Sequence, residues 1–64
     1  RNMDERLEFY LKRHAGDSGK KQIELSHQQI ADDLNSSREV ISRLLKKMEQ
    51  RNLVKLHRNM IELL

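Results

Sequence analysis

Arg38, Glu39, Ser42 and Arg43 are the side chains of this 64-residue sequence whose types and spacing suit recognition chemistry. Wound as a helix at about 100° per residue, residues 36–52 put these four in one arc with Lys46, Lys47 and Gln50. Val40, Ile41, Leu44, Leu45 and Met48 fall in the opposite arc. Arg43 carries a planar fork of donors that fits two neighbouring acceptors, such as the O6 and N7 of guanine, and Glu39 can accept from the amino group of cytosine. Lying one helical turn apart, the two share an edge and can address one base pair or two adjacent ones. The alternative for them is an intrahelical ion pair worth about 0.2–0.5 kcal/mol.

The charge around these residues is biased to one sign. Between positions 38 and 58 there are seven Lys or Arg against two acids, whereas residues 1–37 hold six basic and seven acidic groups within a net charge of +3. A localised basic face is what a densely anionic partner such as a nucleic acid duplex rewards. Enzyme chemistry finds little support. There is no cysteine, so thiolate metal sites and disulfides are excluded, and His14, His27 and His57 belong to three different predicted elements. No shared metal site or nucleophile–base pair is expected. GDSGKK at 16–21 lacks the spacing of a nucleotide loop, and no strand precedes it.

Sixty-four residues allow one domain with a small core. No run approaches the roughly 18 apolar residues of a membrane helix, and no signal peptide is visible, so a soluble cytoplasmic protein is expected. The chain starts at Arg1 rather than Met, which suggests a piece of something longer.

The elements that must hold the four side chains can be taken in order. Asn2 or Asp4 caps a helix over 3–15 with Met3, Leu7, Tyr10, Leu11 and His14 on one side, and Gly16 is expected as its left-handed terminator. His14 is read as partly buried on that stripe. Phe9 lies off it, as either a partly exposed ring or a contact to a part outside this chain. Residues 15–21 read as a loop, and 22–25 alternate as a short strand. Ser26 with Gln29 forms a capping box, so a helix begins at His27 with Ile30, Ala31 and Leu34 buried. Asn35 ends it in a left-handed conformation, and a second cap follows at once from Ser36 or Ser37. Two helices separated by so short a turn make a helix-turn-helix, with the small Ala31 at the crossing and Ile30, Leu34, Ile41 and Leu44 at the contact. Asn52 closes the second helix. Residues 53–57 and 60–63 then alternate as two strands around Arg58-Asn59, with Leu56, Ile61 and Leu63 towards the core and Lys55, His57 and Arg58 outward.

The resulting fold class is mainly α with a small β-wing, in the order helix, strand, helix, helix, strand, strand: a winged helix-turn-helix filling residues 1–64. In such motifs the second helix enters the major groove. The phosphate backbone falls to Ser26 and His27 at a helix start, to Ser37, and to Lys46, Lys47 and Arg58. The other reading is a winged-helix protein-interaction or dimerisation module that does not bind DNA.

The segment IELSHQQIADDLNSSREVISRLLKKMEQRNLVKLHRNMIEL resembles the C-terminal DNA-binding domain of the Crp/Fnr family of bacterial transcription regulators. Its most specific part is SSREVISRLLKKMEQRNLV. The resemblance implies that Arg38, Glu39 and Arg43 read a TGA-type core in each half of a palindrome, with a thymine contact added by Ser42; Arg38 serves either as reader or as phosphate contact. It also implies a sensor domain and a dimerisation helix outside this chain, a homodimeric parent, RNA polymerase as a further partner, and no cofactor here, any effector binding the sensor domain. Alone, the chain is expected to be monomeric. Glycine is common in the family where Asn35, Asn52 and Asn59 stand.

Overall fold

A computed structural model describes residues 2–18 and 21–64. Six elements follow one another: α1 (Met3–Ser18), β1 (Gln22–Ile23), α2 (His27–Asp33), α3 (Arg38–Gln50), β2 (Val54–His57) and β3 (Met60–Leu63). This is the expected order.

α1 starts where Asn2 Oδ1 accepts the Glu5 backbone N–H at 3.0 Å, so Asn2 and not Asp4 is the cap. Leu7 and Leu11 are wholly buried, and Ala15 continues their stripe one turn further on. That continuation corrects two expectations. His14 is exposed rather than partly buried, its ring lying 4.4 Å from that of Tyr10. Gly16 does not end the helix either, which runs on to Ser18 and absorbs half of the expected loop. With nothing within 4 Å of where a Cβ would stand, Gly16 is an exposed helical residue. Of the rest of that loop, Gly19 and Lys20 lie outside the described residues.

The helix-turn-helix is built from caps written in the sequence. Ser26, in an extended conformation, accepts the Gln29 N–H at 3.1 Å and starts α2. The helix ends in Asn35 at φ 56°. There the Ser36 N–H reaches Ala31 O at 2.8 Å and the Asn35 N–H reaches Asp32 O at 3.3 Å, the paired bonds of a Schellman end. Ser37, not Ser36, caps α3 by accepting the Val40 N–H at 3.2 Å. The far end of α3 repeats the first solution: Asn52 sits at φ 60°, with Leu53 N–H to Met48 O and Asn52 N–H to Glu49 O, both at 3.0 Å.

Two side chains of α1 lock it against α2. Arg6 Nη2 donates to Leu34 O at 3.2 Å, where the helix C-terminus collects partial negative charge, and the Tyr10 hydroxyl donates to Asp33 Oδ2 at 2.6 Å. Partial burial first, then the bond to Asp33 and its charge, hold the Tyr10 phenol well above its ordinary pKa.

The sheet is antiparallel in the order β1-β3-β2. Ile61 pairs with Ile23 on one side and Leu56 on the other. β1 is shorter than the expected 22–25 because the chain turns away towards Ser26, leaving Leu25 half-buried beyond it. Val54 joins Ile61 in the deep core, where the alternation points only to Leu56, Ile61 and Leu63; Leu56 and Leu63 are half-buried. Leu53, expected in the strand, is spent on the end of α3 and is exposed. Ile30, Ala31, Ile41 and Leu45 fill the space between the helices, where cutting a leucine or isoleucine to alanine costs about 2–5 kcal/mol. Among the described residues no helix is long and apolar enough to cross a membrane.

Candidate nucleic-acid interface

α3 turns Ile41 and Leu45 into the core and thereby fixes what it shows outside. Arg38, Glu39, Arg43, Lys46 and Lys47 are exposed, and Ser42 is half-buried. Among the described residues Glu39 and Arg43 make no salt bridge with each other or with any other group. With Ser37 as cap, the Glu39 carboxylate is not needed for that task. An acceptor and a forked donor one turn apart are therefore presented together on an exposed helix edge.

At the start of α2 the surroundings are different. His27 is half-buried, and its Nδ1 lies 2.8 Å from Ser42 Oγ, a bond between the two helices. Desolvation, then the charge of Arg38, hold the ring below the ordinary histidine pKa. Ser26, His27 and Arg38 line a depression whose other wall is His57, Asn59 and Met60 of the wing. The two helix starts and the wing tip are thus brought to one place.

The wing is a hairpin in which Asn59 takes φ 58° and His57 faces Met60. The His57 Nε2 lies 3.0 Å from Glu62 Oε1, which ties His57 to the neighbouring strand. Arg58 is exposed at the turn. Towards the sheet, Glu49 Oε2 accepts the Leu56 N–H at 2.8 Å.

Lys47 stands apart from this group. It lines a groove between α1 and α3 that Asp4, Glu5 and Glu8 also line, so acidic side chains share its surroundings. Lys46 is absent from that groove lining. The bond between His27 and Ser42 and the anchoring by Glu49 were not anticipated from the sequence. Both partners in each lie on different elements, and only the packing of those elements brings them within reach. Among the described residues no group of three His, Asp or Glu side chains is placed to hold a metal ion.

The profile of the Crp-like helix-turn-helix domain family matches residues 5–64. Among solved structures, a protein from Eubacterium rectale described as a transcriptional regulator of the Crp/Fnr family is similar with a TM-score of 0.98 and 34% identity, over 100% of this chain and 30% of its own. The Thermus thermophilus catabolite activator protein shares the fold, with a TM-score of 0.87 at 21% identity over 95% of this chain and 29% of its own. No curated protein matches in sequence. The chain spans less than a third of the length of either solved relative.

Proposed function

From the fact that this chain belongs to the Crp-like helix-turn-helix domain family, we propose that it binds double-stranded DNA as the recognition part of a transcription regulator, with α3 in the major groove. Arg43 and Glu39 read a G·C pair or two adjacent pairs of a TGA-type half-site. Arg38 and Ser42 add base or phosphate contacts. Ser26, His27, Ser37, Lys46, Lys47 and Arg58 meet the phosphate backbone, Lys47 most weakly. The parent regulator acts as a homodimer on two such half-sites, with RNA polymerase as a further partner and any effector held outside this chain. It performs no catalysis.

What carries this reading is the state of Glu39 and Arg43: exposed, one turn apart, and joined to no partner among the described residues. Neither group is tied up by an ion pair among the described residues, so both are free to meet base edges, and the family match supports that use over a merely solvated face. The test is an NMR titration of the 64-residue chain with a duplex holding one TGTGA or TTGAT half-site and with a scrambled duplex, at two salt concentrations. Amides of residues 37–47 should shift most, and more for the half-site. With about five phosphates neutralised, log K should fall with log salt at a slope of about −4 to −5. Absence of any shift at low salt would overturn the proposal in favour of a protein-interaction module.

A further inference from the structure

We infer that His27 is a positioning residue for base reading: its Nδ1 accepts the Ser42 hydroxyl proton, so that Ser42 turns only lone pairs to the groove and selects a base's exocyclic amino group. The inference rests on the proposed placement of α3 in the major groove.

The heavy-atom geometry, Nδ1 to Oγ at 2.8 Å, permits two arrangements of opposite meaning. In one, Ser42 donates to a bare Nδ1. In the other, an Nδ1–H donates to Ser42, and the serine proton is free to point at a carbonyl, such as thymine O4, or back at its own helix. Two observations select the first. The ring is half-buried with the Arg38 guanidinium acting on it from α3, which favours its neutral form, and that form has a single N–H to place. An imidazole side chain intrinsically prefers that proton on Nε2, and His27 lines the depression shared by Ser26, Arg38 and the wing, where an Nε2–H can meet a phosphate oxygen. Nδ1 is then an acceptor, and among the described residues the donor within reach of it is Ser42.

The consequence is a division of labour across the turn. Ser42 is half-buried rather than fully enclosed, and its oxygen has to be reached from the groove for this selection to operate. With its proton committed, it accepts from adenine N6 or cytosine N4 and has nothing to donate to thymine O4 or guanine O6. This differs from the thymine contact that the family resemblance implies for the position.

The test has two arms. On the free 64-residue chain at neutral pH, long-range 15N–1H correlation of the imidazole should find the proton of His27 on Nε2; a proton on Nδ1 overturns the inference whatever the DNA data show. In the second arm, selection from randomised duplexes compares wild type with Ser42→Ala to find the pair at which Ser42 matters. At that pair the amino group is then deleted (purine for adenine, 2-pyrimidinone for cytosine) or, separately, the carbonyl oxygen. Wild type should lose roughly five- to tenfold in affinity with the amino group and less than about twofold with the carbonyl. His27→Phe, with its acceptor gone, should lose that asymmetry, and His27→Asn, whose Oδ1 comes close to the place of Nδ1, should keep it. A costlier carbonyl deletion, an asymmetry surviving in His27→Phe, or a Ser42→Ala that relaxes no position would each overturn it. If wild type selects no sequence at all, base reading by α3 fails and the inference falls with it, an outcome distinct from the others.

Discussion

Glu49 and Leu56 join the last turns of α3 to the wing, the Glu49 carboxylate accepting the Leu56 N–H at 2.8 Å. β2 is an edge strand, and that N–H faces away from β3, where it would otherwise stand open to another chain. One side chain thus closes the edge and sets the angle between helix and hairpin. Glu49→Ala should cost about 1–2 kcal/mol in chemical unfolding and speed hydrogen exchange at Leu56, while Glu49→Gln keeps an acceptor and loses less. Equal stability of wild type and Glu49→Ala would remove the contact from the account.

Tyr10 and Asp33 offer a second check, on the seam between α1 and α2. Tyr10→Phe should cost about 1 kcal/mol. Because the folded phenol titrates above its unfolded value of about 10, the contribution is complete below that pH and is lost as pH rises through the folded value. Melts of both proteins should therefore converge at high pH, and a constant difference across the alkaline range would refute the assignment.

His27 runs in the opposite sense. Its pKa is lowered on folding, so its contribution is present above the unfolded value of about 6.5 and is lost as pH falls from there through the folded value. His14 and His57 are common to wild type and His27→Gln, so the difference between their urea unfolding curves isolates this ring. The variant should lose less stability than wild type between about pH 7 and 5.

Much of this arrangement was legible in the sequence, and the reason is local. Ser26, Ser37 and Asn2 cap helices by accepting N–H groups three residues on, and Asn35, Asn52 and Asn59 take positive φ; such features depend on a few neighbouring residues. They sufficed for the order of elements and for the resemblance to Crp/Fnr regulators, which the family match bears out. Gly16 misled because a terminator needs a helix ready to stop, and burial of Ala15 carried α1 past it. Val54 was overlooked because its depth depends on how β2 sits on the core. The bonds His27 to Ser42, Tyr10 to Asp33 and Glu49 to Leu56 span 15, 23 and 7 positions, and no spacing rule announces them.

The cations of α3 should separate in DNA binding. Arg43→Ala should cost roughly 1–3 kcal/mol and relax specificity at its base pair. Lys46→Ala should weaken every duplex alike and reduce the salt slope by about one. Lys47→Ala, with Asp4, Glu5 and Glu8 lining the same groove, should do so less. Titrations of the three variants at several salt concentrations check this order, and a Lys47 effect equal to that of Lys46 would show that the groove does not restrain it.

β3 lies between β1 and β2, so the strand made last is the one both others wait for. While the chain is being synthesised, Gln22 and Ile23 have no partner until Glu62 and Ile61 exist, and the helices must form with one side of their core uncovered. Assembly therefore cannot finish piecemeal behind the ribosome. A chain that ended before Met60 would hold helices lacking the strand that carries Ile61, a product fit for proteolysis.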